Sequence, residues 1–483
     1  MKKRTLSLIL ATAMVAGSLV GCGGSSSSSS SAPAAEPAAE ETAEAEAPAE
    51  GEAEAPAEGE AEAEAPAAEV AGTTSVLNIY CWNEEFKSRL TAHYPGYEEI
   101  DATTGKIGDV KVVWNITPNE NNAYQNNLDE ALLAQESKAT DEKVDMFLIE
   151  ADYALKYVGT DYTLPVTDLG LTEEDLANQY GYTKDVVTDA NGALKGVSWQ
   201  GCPGVMIYNR EAAKEVFGTD DPAEIQTKFS DWDKFVASAA ELKDKGYQVV
   251  SSVNDTYRVY SNNVTSPWVV DGKINIDANI DKWVDDSKKL VEAGYAGTHD
   301  LWSDDWSKGF YPEGKVFAYF GPAWLIDFSM AADTEGSIAN AGGWAATEGP
   351  QGFNWGGTWI CAAAGTDNQD LIADIMKQLT CNEEIMTEIV KQDNDFVNNK
   401  PAMEAMAADE SYGDPVLGGQ NALPMFCAGA DKIVMDQITI YDQGCNEEFQ
   451  KAMKGYFEGN TDKEAAIEAF KKAVVEKYPE LSY

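Results

Sequence analysis

Short apolar runs alternate along this chain with longer stretches in which apolar positions recur every three or four residues. "VLNIY" (76–80), "VKVVWNI" (110–116) and "VDMFLIE" (144–150) are brief and rich in β-branched and aromatic side chains, which predicts strands. Between the last two, "NENNAYQNNLDEALLAQES" follows the turn "TPN" and repeats Ala123, Leu128, Ala131 and Leu132 at helical spacing. "SDWDKFVASAAELKDKG" offers Ser230 as N-cap, lysines in its last turn and Gly246 as a stop. "DANIDKWVDDSKKLVEAG" ends in the same way at Gly294. "QDLIADIMKQLT" puts Leu371, Ile372, Ile375, Met376 and Leu379 on one face, and "DKEAAIEAFKKAVVEKYP" is a further amphipathic helix. Strands alternating with helices predict α/β lobes with largely parallel sheets.

The pattern is different before residue 74. "MKKRTLSLILATAMVAGSLVGCGG" has a basic start, an apolar run and small residues, the order of a secretory signal and too short for a confident membrane span. "LVGC" resembles the lipobox of bacterial lipoproteins, which implies a signal peptide over 1–21, cleavage before Cys22 and a lipid on its sulfur. A serine run and a tract of Ala, Glu and Pro follow. Residues 22–73 hold almost nothing to bury and repel themselves, so a disordered tether is expected. The remaining length, about 410 residues, exceeds one ordinary core and predicts two lobes.

The chain carries 82 acidic and 35 basic residues. Thirteen of the acids lie in the tract and three of the bases in the first four residues, so the folded part is strongly acidic as well. Such a surface repels nucleic-acid backbones and anionic lipid headgroups and suits a neutral or cationic ligand. Besides Cys22 there are Cys81, Cys202, Cys361, Cys381, Cys427 and Cys445, several of them in apolar runs. There they act as small hydrophobes, and free, mostly buried thiols are expected. No CxxC pair is present, and neither a metal nor a cofactor is expected. The two histidines, His93 and His299, sit in plain contexts, and there is no G-x-S-x-G, H-E-x-x-H or P-loop. An enzyme is therefore not expected.

Ligands of open α/β sheets collect at the carboxyl ends of strands. Trp82, Asn83, Glu84 and Glu85 follow "VLNIY", and Glu150, Asp152 and Tyr153 end or follow "VDMFLIE". Trp324 follows "KVFAYF", and "FNWGGTW" (353–359) precedes the strand-like "WICAAAG". Trp114, Trp232 and Trp283 are placed in cores by their contexts. Trp359 begins a strand and is expected to pack inward, whereas Trp355 sits beside Gly356 and Gly357, where a backbone can approach a ligand.

The order of these segments, together with "GVSWQGCPGVMIYNREAAKEVFG" and "YPEGKVFAYFGPAWLIDF", resembles the extracellular solute-binding proteins of carbohydrate ABC transporters, the group related to maltose-binding protein. The resemblance covers roughly residues 75–483. It implies a two-lobe periplasmic-binding-protein-like α/β fold with a hinge. Lobe one would hold 74–198 plus 318–381, and lobe two 199–317 plus 382–483. The implied function is capture of a sugar or oligosaccharide by hinge closure and delivery to ABC permease subunits, by a lipid-anchored monomer on the outer face of the cell membrane. Sugars present apolar faces and hydroxyls, so aromatic platforms and paired polar groups are needed. Trp82, Trp324 and Trp355 are the first choices for stacking, with Gly356 beside them, and Trp199 and Trp268 the second. Asn83, Glu85, Glu150 and Asp152 would supply polar contacts from lobe one, and Trp302 and Asp304 the facing lobe. Alternatives are a binding protein for a peptide or cation, a wall-interaction protein, or a glycoside hydrolase, since carboxylates and tryptophans also serve hydrolysis.

Overall fold

The computed structural model describes residues 75–483. The expected signal, the lipidated Cys22 and the tether lie outside the described residues. Two sheets organise the rest. The first has seven strands in the order Tyr97–Glu99, Thr104–Ile107, Val110–Ile116, Ser75–Cys81, Met146–Glu150, Thr358–Ala362 and Val197–Ser198. Its centre is parallel, with Ile79 opposite both Trp114 and Met146, and its edges are antiparallel. Leu77, Ile79, Phe147 and Ile149 are fully buried, as strands covered on both faces require.

The second sheet runs Ala296–Gly297, Gln248–Ser252, Val316–Gly321, Pro203–Asn209 and Trp344–Thr347, with Phe353–Asn354 also paired to Pro203–Asn209. It is more mixed than the pattern predicts: only the pairs made by Gln248–Ser252 are parallel. Its core joins Phe229, Phe317, Trp283, Phe449 and Phe470, so the helices Asp442–Phe457 and Lys463–Lys477 belong to this lobe. The helix Trp232–Asp244 is capped by Asp231 rather than Ser230, its carboxylate accepting the Lys234 N–H at 2.9 Å. Gly246 stops it at φ +84°, as expected. All six cysteines of the described residues are free.

The chain passes from the first sheet to the second between Ser198 and Pro203 and returns between Asn354 and Thr358. This corrects the expected return near residue 318. Val316–Gly321 is a central strand of the second sheet, with Ala318 paired to Tyr208 and Val250, so 318–354 stay with lobe two. Every residue of that strand is buried, and a fully buried strand reads alike in either sheet. The expected switch to lobe two at residue 382 is also corrected. Helix Glu383–Asp393 lies against the first lobe's helix Glu85–His93, where Asp393 meets Arg89 at 3.0 Å and His93 at 2.7 Å. Val397 bridges to Gln200.

Candidate functional site

"FNWGGTW" is the return crossing itself. Phe353 and Asn354 finish on the second sheet and Thr358 and Trp359 start on the first. Gly356 and Gly357 have φ of +73° and +111°, a region that L side chains avoid, which is why the turn needs glycines. Asn354 ties this crossing to the other one. With its amide turned to satisfy its surroundings, its nitrogen donates to the Gly201 and Cys202 carbonyls at 3.1 and 2.9 Å. The Trp355 N–H donates to the Cys202 carbonyl at 3.2 Å.

Three indoles gather here. Trp324 follows the central strand of the second sheet, Trp302 follows that sheet's edge strand, and Trp355 lies in the crossing. Their ring centroids are 5.1 Å (Trp324–Trp355), 5.9 Å (Trp302–Trp355) and 6.1 Å (Trp302–Trp324) apart. Trp324 Nε1 donates to the Trp355 carbonyl at 3.3 Å. Trp302 is 50% exposed and rests on Trp306, a buried indole whose Nε1 donates to Asp255 at 2.7 Å. Trp324 and Trp355 are half-buried, so the cluster is exposed chiefly on its Trp302 side and backed by buried Trp306.

Carboxyls of the first lobe meet this surface. A Cβ on Gly356 would stand 3.5 Å from Trp324 Cζ2 and 3.7 Å from Glu150 Oε1, so indole and carboxyl share one wall. Glu150 Oε2 accepts the Asp152 N–H at 2.8 Å. Burial, reinforced by the Asp152 charge and opposed by Arg258, pushes the Glu150 carboxyl up to about 8. Asp152 forms a two-point pair with Arg258, Nη1 to Oδ1 at 2.8 Å and Nη2 to Oδ2. A cavity of about 390 Å³ opens beside them, lined among others by Asp152, Tyr153, Arg258, Asn262, Asn354 and Gly356.

The other candidates separate into groups. Trp82 is half-buried and packs edge-on against Tyr124 and Tyr153 at 5.6 and 6.3 Å. Asn83 accepts the Glu85 N–H at 3.1 Å and shapes the start of the helix Glu85–His93. The Glu85 carboxyl accepts from Gln200 at 2.6 Å, and burial lifts it to about 7 against the pull of Arg89. Trp199 does not face an opening. It is buried against Phe86, and its Nε1 donates to Asp395 at 3.3 Å. An apolar residue beside a crossing reads as a platform in sequence, but here it fills the first core. Trp268 is 8% exposed, packed on Phe449 and Phe470, with one edge on the cavity. Asp304 is exposed, in the first turn of the short helix Asp304–Ser307. Trp359 is buried, and its Nε1 donates to the Thr183 carbonyl at 2.8 Å.

Sequence reasoning missed Arg258 and Gln200. Rarity was the available signal for the first. The chain has only four arginines, and the three within the described residues, Arg89, Arg210 and Arg258, all pair with aspartates. Gln200 carried none. Among the described residues no group of three or more His, Cys, Asp or Glu is placed to hold a metal, and no helix is long and apolar enough to cross a membrane.

Two lobes joined by repeated chain crossings, with an aromatic surface beside one of them, invite comparison with known proteins. The model of a family described as bacterial extracellular solute-binding protein matches residues 99–415. This chain belongs to that family. No protein of curated function matches it in sequence. Solved structures agree on the two-lobe fold. One is an extracellular solute-binding protein of family 1, at 18% identity and a TM-score of 0.66, covering 83% of this chain and 100% of the other. A second is the ABC transporter associated binding protein of B. animalis subsp. lactis Bl-04, in complex with β-1,6-galactobiose. It has 17% identity, a TM-score of 0.61 and coverage of 84% and 98%. A third is the GacH receptor of Streptomyces glaucescens, studied with acarbose, at 16% identity, TM-score 0.61 and coverage of 84% and 99%. In this solute-binding protein most indoles fill the lobe cores, and Trp302, Trp324 and Trp355 gather beside the return crossing.

Proposed function

We propose that this solute-binding protein captures a sugar or oligosaccharide between its lobes and delivers it to an ABC permease, tethered through a lipid on Cys22 at the outer face of the membrane. The observation that carries this reading is the indole trio beside the return crossing, with the Glu150 carboxyl near Trp324 across Gly356. Indole faces suit the apolar faces of pyranose rings, and a carboxyl held largely protonated can both accept from and donate to hydroxyls. Binding rather than hydrolysis is favoured by the engagement of the nearby acids. Asp152 is committed to Arg258, and Glu150 to the Asp152 amide. The same pairing neutralises one of the carboxylates that line the cavity, which favours an uncharged solute over a cation. The bound galactobiose and acarbose of the structural neighbours accord with this reading.

The test is a thermal-shift screen of the purified chain with neutral mono- and oligosaccharides, amino acids and polyamines, followed by calorimetry on any hit. A rise in melting temperature with one sugar class and none with the other solutes is expected. Stabilisation by polyamines or peptides alone, or release of shorter sugars during incubation, overturns the proposal.

A further inference from the structure

A two-point ion pair joins the two lobes. Asp152 lies in the turn Ala151–Tyr153, directly after strand Met146–Glu150 of the first sheet. Arg258 lies in the helix Tyr257–Ser261, which follows strand Gln248–Ser252 of the second. The guanidinium grips both carboxylate oxygens, and the side chains are only 18% and 28% exposed. Among the described residues no other two-point ion pair links the layers built on the two sheets; Lys400 and Asp431 meet only at 3.7 Å between largely exposed side chains. The neighbouring acids Glu150 and Asp442 feel the charge of Arg258 but make their hydrogen bonds elsewhere. Glu150 Oε2 takes the Asp152 N–H, and Asp442 Oδ1 takes the Thr439 N–H at 3.1 Å and its hydroxyl at 2.7 Å.

A planar two-point contact is directional, so separating the lobes by a few ångströms breaks both bonds together. Opening would also leave two partly buried charges without partners until water reaches them. The pair therefore acts against opening whether or not a solute is present. Lysine could not replace the fork, since it offers a point charge with no fixed plane.

We propose that Arg258 is a positioning residue that latches the lobes together through Asp152, so that part of the solute affinity comes from a contact between the lobes themselves. The proposal deepens the solute-capture reading and rests on it for the affinity, but the latch can be observed without a solute. One spin label on each lobe, read by pulsed dipolar spectroscopy on the solute-free chain, gives the distance distribution. Arg258→Met should shift it to longer distances and speed solute release by about 5- to 150-fold, the usual span of coupling between sites. Arg258→Lys should fall between Met and wild type. The reversed pair, Asp152→Arg with Arg258→Asp, should restore the short distance and the slow release.

Unchanged distances in Arg258→Met overturn the latch. So does a reversed pair that stays open, because a residue needed for direct solute contact or local packing is not rescued by charge reversal. If no sugar binds the wild type, the capture reading falls while the distance measurement still decides the latch.

Discussion

The two lobes bring different chemistry to the same place. Strand ends of the first lobe deliver carboxyls, Glu85, Glu150 and Asp152, each engaged by an amide or a guanidinium. Strand ends of the second deliver indoles, Trp302 and Trp324, and the return crossing adds Trp355. Trp82 is the first lobe's own aromatic, but it turns edge-on toward Tyr124 and Tyr153. The carboxyls come from the first lobe, while the second adds its own hydrogen-bonding groups, Arg258 and Asn262, to the indoles. A two-lobe site divided in this way is assembled only when the lobes meet, which is the physical basis for coupling capture to closure.

The largest expected effect tests the boundary between site and scaffold. Trp355 and Trp359 stand four residues apart, one at the junction and the other in the first core. Trp359→Ala removes a buried indole and leaves the Thr183 carbonyl without its donor, so it should cost about 3–5 kcal/mol of stability. Chemical unfolding measures this, and solute affinity of the folded fraction should be unchanged. A variant as stable as wild type but unable to bind would place Trp359 in the site and break the distinction.

The next test addresses the carboxyl side. Glu150 is raised from an ordinary 4.5 to about 8 in the folded chain. A carboxyl raised in this way contributes stability that is fully present below pH 4.5 and lost as pH rises through about 8. Thermal unfolding of wild type should therefore show a component that declines between those limits, and Glu150→Gln, which cannot ionise, should flatten it. Equal pH profiles for the two proteins would mean that Glu150 is solvated and free, and that the first lobe presents an ordinary carboxylate.

How far the sequence foretold this arrangement follows from what local pattern can encode. The strands around Ile79, Val112 and Ile149 and the helix ending before Gly246 were legible because burial and capping leave a periodic trace. Trp355 and Trp359 could be told apart because two glycines at positive φ leave a signature of their own. The lobe boundaries were not legible: the all-buried strand Val316–Gly321 has no feature naming the sheet it joins. Trp199 misled for a related reason, since a tryptophan beside a crossing can face inward or outward with equal sequence context. Arg258 could not be assigned because its partner is 106 residues away, and only the fold brings them together.

The smallest effect separates the indoles of the second lobe from their floor. Trp302 has φ +71°, unusual for a bulky residue, and half of its surface is exposed. Its neighbour Trp306 is buried and bonded to Asp255. Strain at an exposed position persists when function holds the side chain there. Trp302→Gly should therefore relieve the backbone, leaving stability unchanged or higher by up to about 1 kcal/mol. It should also remove one aromatic face and weaken solute binding by about 0.5–1.5 kcal/mol. Calorimetric titration and unfolding on the same preparation read both quantities. Opposite signs in the two would mark Trp302 as a contact residue bought at the expense of local conformation, and a parallel loss in both would return it to the scaffold with Trp306.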